Sequence, residues 1–100
     1  MRKITKLAIE ALINGNNYSC DNTQVSNSCM YLHGSKIAEL VNGDFIVSTR
    51  GWNTKTTLER LNGLPGVRVN IKKGVLFLNG EPWDGQPVAI PIIVGLGKFP

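Results

Sequence analysis

Two adjacent residues, Asn42-Gly43, constrain this chain more than any others. The tightest hairpin turns need a positive φ at both central positions, and Asn-Gly is the pair that accepts it most readily. The dipeptide sits between two strand-like runs, residues 36–41 and 44–49. In the second run Phe45 and Val47 point one way while Ile46 and Ser48 point the other, the two-residue period of a half-buried strand. A hairpin is therefore predicted at its centre.

The same signals recur. Residues 30–33 read as a strand ended by Gly34-Ser35. In residues 67–79, Val67, Val69 and Ile71 alternate with Arg68, Asn70 and Lys72, giving a strand with a basic outer face. Lys72-Lys73-Gly74 makes the turn, and residues 75–78 return as an inner strand, apolar on both faces. Asn79-Gly80 ends it, and Glu81-Pro82-Trp83-Asp84-Gly85 follows as a turn with a large aromatic anchor.

Two segments carry helical spacing instead. Ile4, Leu7, Ala8, Ala11 and Leu12 form a core-facing stripe over residues 4–13, stopped by Asn14-Gly15. Residues 53–63 read as a second helix with Leu58 and Leu61 inward. Thr54 or Thr56 can cap it, and Thr56 with Glu59 has capping-box spacing. Asn62-Gly63 closes it and Pro65 prevents continuation. Residues 16–28 are dominated by polar turn formers and read as a loop with at most one short strand, at 23–25.

One hundred residues, 42% hydrophobic and 18% charged, suit one globular domain rather than a disordered chain. The expected fold class is α+β: an antiparallel sheet of two β-hairpins with two short helices on one face. Residues 1–85 form the domain, and residues 86–100 form an apolar C-terminal extension. Pro87, Pro91 and Pro100 keep that extension out of a helix and out of a central strand. It can cover a sheet edge of its own molecule or dock on another chain. No stretch is long and apolar enough to span a bilayer, and the start lacks the apolar run of a signal peptide. The two cysteines, Cys20 and Cys29, are therefore expected as free thiols in a reducing cytoplasm.

GWNTKTTLERLNGLPGVRVNIKKGVLFLNGEPWDG at residues 51–85, with YLHGSKIAEL upstream, resembles a family of small uncharacterised proteins encoded by tailed bacteriophages. The shared pieces are a Leu-His-Gly turn, Gly-Trp before a Thr-rich helix start, an Arg-Leu-Asn-Gly helix end and a Leu-Asn-Gly…Trp-Asp-Gly finish. The resemblance implies a phage gene product made in the host bacterial cytoplasm. It supplies no activity and no catalytic residues, and it stops at Gly85.

Catalytic chemistry finds little support in the residues. His33 is the only histidine. Cys20, Cys29 and His33 lack the tight Cys pair of structural zinc, and the bland reading of Cys29 with His33 is a buried thiol and a turn histidine rather than a nucleophile and base. No two carboxylates are paired at a defined spacing, and no phosphate-cradling glycine loop is present. Neither an enzyme nor a cofactor is expected.

Binding is the better prospect. Net charge is +4, and residues 50–73 hold six basic residues against one acid, Glu59. Arg50, Trp52, Thr54, Lys55, Thr56 and Arg60 surround the start of the second helix, where hydroxyls and free amides can hold a phosphate. Arg68, Lys72 and Lys73 come from the neighbouring hairpin, so that a phosphate backbone can run between the two. Trp52 can stack on a base; Trp52 and Trp83 can equally anchor the core. The charge bias can also be an ordinary solvated surface. The sequence thus points to a non-enzymatic phage accessory protein that binds nucleic acid or a host nucleic-acid-handling complex through a basic face, with an acidic host protein as a possible partner. The alternative is a protein–protein inhibitor or oligomeric component using the apolar tail.

Overall fold

The computed structural model describes residues 2–91. The chain opens with helix α1 (Lys3–Asn14) and then runs through five strands in a meander: β1 (Tyr18–Cys20), β2 (Thr23–Ser26), β3 (Cys29–Leu32), β4 (Ser35–Val41) and β5 (Asp44–Val47). Helix α2 (Lys55–Asn62) follows, then β6 (Val69–Lys72), β7 (Val75–Leu78) and β8 (Glu81–Pro82). Last comes β9 (Val88–Pro91). Mixed helix and strand content is as expected, but the strands form two antiparallel sheets. One has six strands in the order β1-β2-β3-β4-β5-β9, the other three in the order β6-β7-β8. The two hairpins foreseen as one sheet lie in different sheets.

The strand connections explain the meander. At Asn42-Gly43 both φ values are positive, 49° and 86°, as the dipeptide requires. Asn27-Ser28 does the same without a glycine, at 51° and 62°. Asx and Ser side chains tolerate this conformation through local hydrogen bonds. Asp21, at 50°, turns β1 into β2, so the predicted loop at 16–28 is a hairpin that Asn27-Ser28 then leads into β3. Its alternation was masked because the inward residue of β2 besides Val25 is Thr23, buried yet polar.

The inner face of the main sheet and the two helices share one core. Ala8, Leu12, Val25, Met30, Phe45, Val47 and Leu61 are its central members. Full burial of a side chain such as Phe45 contributes roughly 2–3 kcal/mol. In α1 the buried stripe is Thr5, Ala8, Ile9, Ala11 and Leu12, one step round from the expected one; Ile4 and Leu7 sit at its margin. The helices approach closely at Gly63. A Cβ there would lie 2.2 Å from Ile9 Cδ1 and 2.8 Å from Thr5 Cγ2. Its φ is −76°, so this glycine serves close packing and not a left-handed helix stop.

Residues 88–91, foreseen as part of an extension, pair along β5 with Phe45 opposite Ile90 and Val47 opposite Val88. Pro91, which has no N–H to donate, sits at the edge of the sheet. The rest of the expected extension, residues 92–100, lies outside the described residues.

Candidate functional site

Between β5 and α2 the chain makes a short tethered loop that carries Arg50 and Trp52. Ser48 Oγ donates to the Gly85 carbonyl at 2.7 Å, and the Thr49 amide donates to the same oxygen at 3.1 Å. Gly85 is fixed in turn: a Cβ there would fall 2.4 Å from Thr49 Oγ1, and its φ is +84°. Arg50 and Gly51 both have positive φ, and the Trp52 amide donates to the Thr49 carbonyl at 2.8 Å, closing a tight turn. The Arg50 guanidinium is steered by a 2.8 Å bond from Nε to the Lys36 carbonyl. Trp52 is left projecting, 63% exposed. Trp83, by contrast, packs against the core and donates Nε1 to the Gln86 carbonyl at 3.0 Å. Of the two tryptophans, the core anchor is Trp83.

Trp52 stands at the mouth of a cavity of about 410 Å³. Leu32 and Ile37 give it an apolar floor. Ile37 reaches it because of a β-bulge: the β3–β4 register slips after Met30, so Met30 faces Ala38 while Tyr31 faces Lys36. The extra residue is Ile37, and Ile37 and Ala38 are consecutive yet both buried. Bulges commonly re-aim one side chain in this way. Ser35 and Thr49 line one wall; Thr54, Thr56 and Thr57 of the α2 start line another. His33, exposed at the β3–β4 turn, completes the rim.

The α2 start is capped by Thr54, whose Oγ1 accepts from the Thr57 amide at 3.2 Å and lies 3.1 Å from the Thr57 hydroxyl. Thr56 is the second residue of the helix rather than its cap, so the Thr56–Glu59 capping box does not form. Glu59 points instead to α1. It accepts from the Arg2 amide at 3.3 Å, from the Thr5 hydroxyl and from Arg60. Burial alone would raise the Glu59 carboxyl; those hydrogen bonds and the Arg60 charge outweigh it and hold the group below its ordinary range.

The foreseen binding residues fall into three surface places, with Arg60 in a fourth, the interior. Trp52, Thr54 and Thr56 line the cavity, and Arg50 lies beside it, bonded to the carbonyl of Lys36 between the lining residues Ser35 and Ile37. Lys55, although between two cavity threonines, faces a different groove, shared with Leu58, Asn62, Val69 and Ile71 between α2 and β6. Arg68, Lys72 and Lys73 are exposed on the three-stranded sheet. Strand pairing sets Asn70 opposite Phe77 and Lys72 opposite Val75, so Arg68, Asn70, Lys72, Val75 and Phe77 share its outer face. Val69, Ile71, Leu76 and Leu78 take the other. A phosphate path along the α2–β6 groove would pass Lys55, Glu59, Val69 and Ile71, but not Arg68, Lys72 or Lys73.

Arg60 is the correction. It is fully buried, with Nη1 donating to Thr5 Oγ1 at 2.7 Å and Nε to Thr23 Oγ1 at 3.1 Å. It ties α1, α2 and β2 together and cannot meet a ligand at the surface. The sequence carried a signal for this, because Thr57, Arg60 and Leu61 fall on one helical face. The sequence offers His33 as a metal ligand with Cys20 and Cys29 or as a base for Cys29. Cys29 and His33 stand at opposite ends of β3, roughly 13 Å apart along a strand, and the buried Cys29 Sγ is 3.5 Å from the Asn27 carbonyl. Both cysteines are free thiols. Among the described residues no group of three or more His, Cys, Asp or Glu could hold a metal ion, and no helix is long and apolar enough to cross a membrane.

A family model described as Kyanoviridae Gp96 protein matches residues 1–92, and the chain belongs to this phage protein family. The match runs past Gly85 through β9. No curated protein and no solved structure matches the chain.

Proposed function

We propose that this phage protein acts by binding single-stranded nucleic acid on the outer face of its three-stranded sheet. One observation carries the reading. That face presents Arg68, Asn70 and Lys72 beside Val75 and the half-buried Phe77, with Lys73 at the turn and no carboxylate among the described residues of the face. Glu81 pairs with Leu78 and so belongs to the other face.

The chemistry fits a single strand better than a duplex. A flat antiparallel face with one aromatic offers a platform on which an unpaired base stacks, whereas a duplex keeps its bases stacked on each other. The cations lie where the backbone phosphates of such a strand would run, and Asn70 can hydrogen-bond a base edge. Arg50 and Lys55 add positive charge elsewhere on the molecule and help draw a polyanion in.

Filter binding of single-stranded oligonucleotides across a salt series tests this. Three phosphate contacts predict a log–log salt slope of about −2. Replacing Arg68, Lys72 and Lys73 together by alanine removes most of that slope without unfolding the protein, because all three are exposed. Absence of binding at low salt, or a slope untouched by the triple replacement, refutes the reading.

A further inference from the structure

The cavity beneath Trp52 is separate from the sheet face, and its lining asks for a different contact. We propose that it is a nucleotide pocket, which takes one nucleobase against Trp52 with its phosphate toward Arg50. The inference rests on the nucleic-acid reading for the choice of a phosphate-bearing ligand and adds a second site to it.

Size comes first. About 410 Å³ lies inside the roughly 300–1,000 Å³ range of small-molecule sites and suits a single nucleotide rather than a chain. Lining comes next. Leu32 and Ile37 match the faces of a heteroaromatic ring, and the wall of hydroxyls can donate or accept, as a base edge with mixed donors and acceptors requires. No carboxylate lines the cavity, so an anionic ligand meets no repulsion there. Arg50 is anchored by its Nε on the carbonyl of Lys36, the residue between Ser35 and Ile37 of the lining, which leaves the rest of its guanidinium for a phosphate. Lys36 itself is held by Glu39 at 3.0 Å, an ion pair that raises its amine and leaves Arg50 as the available cation on this side.

Trp52 is the strongest indication. A tryptophan that is 63% exposed contributes little to the core, yet its backbone is pinned by the Thr49 turn, and that turn is pinned by Gly85. The backbone that carries the ring is therefore fixed, and the ring itself faces solvent without a folding role of its own. Pre-organised aromatics lose little conformational freedom on stacking a ligand.

Isothermal titration calorimetry of the full chain with nucleoside monophosphates, the unphosphorylated nucleosides and inorganic phosphate reads the proposal. A 5′-phosphorylated oligonucleotide forms a further arm, which separates a strand end from a free nucleotide as the source. Monophosphates are expected to bind more tightly than either nucleosides or phosphate. Trp52→Ala weakens them roughly tenfold or more, Trp52→Phe restores part of the loss, and the melting temperature stays unchanged in both. Arg50→Gln lowers affinity for the monophosphate but not for the nucleoside. If millimolar monophosphate does not bind, or binds Trp52→Ala equally well, the cavity assignment is wrong. Should oligonucleotides then still bind in a manner dependent on Arg68, Lys72 and Lys73, the sheet-face reading survives alone. If monophosphates bind and oligonucleotides do not, the sheet-face reading falls and the pocket stands.

Discussion

Replacing Arg60 by alanine examines how this fold holds together. The guanidinium is fully buried and bonds Thr5 of α1, Thr23 of β2 and the neighbouring Glu59. Its removal leaves two buried hydroxyls short of a partner, a carboxylate short of its cation, and a void where a long side chain lay. Breaking a buried pair by deleting one member costs about 3–5 kcal/mol. In a domain whose total stability is about 5–15 kcal/mol, this brings many molecules close to unfolding. Urea denaturation followed by circular dichroism is expected to show a midpoint lowered by about 2 M at unchanged slope. Arg60→Met fills most of the space and removes the charge, so it is expected to cost clearly less, about 1–3 kcal/mol, because Glu59 keeps part of its hydration. A loss below about 1 kcal/mol for Arg60→Ala would refute the clamp. So would an Arg60→Met variant less stable than Arg60→Ala.

Three further outcomes are expected. Gly63→Ala drives a methyl group into Ile9 and Thr5 and should destabilise by about 1–3 kcal/mol, read as a lowered melting temperature; Ile9→Val in the same chain should relieve part of it. Thr54→Ala removes the α2 cap and should cost about 1 kcal/mol in chemical denaturation, while Thr56→Ala should cost less. Glu59 ionises below its ordinary value of 4.5 in the fold, so the unfolded chain takes up its proton first as pH falls. Its contribution is complete above about pH 4.5 and drains away as pH falls through the folded value. Glu59→Gln should flatten that part of a stability–pH profile.

Local signals were legible, and long-range ones were not. Both helices, the Asn42-Gly43 turn and the Lys73-Gly74 turn follow from residue spacing and turn chemistry, and each is where it was expected. The β1–β2–β3 meander was not read, because Thr23 does an apolar residue's work in the pattern and its turns, at Asp21-Asn22 and Asn27-Ser28, take left-handed backbone without glycine. Charge misled at Arg60: a basic residue in a basic stretch looks like surface until Thr5 and Thr23, distant in sequence, supply its partners. The split of one expected sheet into two depends on β9 reaching β5, a pairing that no local pattern encodes. The candidate site was half visible. Arg50, Trp52 and the threonines were named, and His33 was placed in its turn though not at the site; Ile37 enters through a bulge that bears no signature in the sequence.

The seat of β9 beside β5 also has a meaning in time. The first five strands and α1 are complete once residue 47 has been made, and they can fold as neighbours in order. The edge of β5, carrying Phe45 and Val47, then waits while α2 and the small sheet are synthesised, since its partner begins only at Val88. At about 5–20 residues per second this interval lasts roughly 2–8 s. For that period the nascent protein carries an unpaired strand edge, the surface through which chains most readily join one another. The arrival of β9 ends that wait by covering the β5 edge, and among the described residues it hands the edge position to a strand that finishes in a proline.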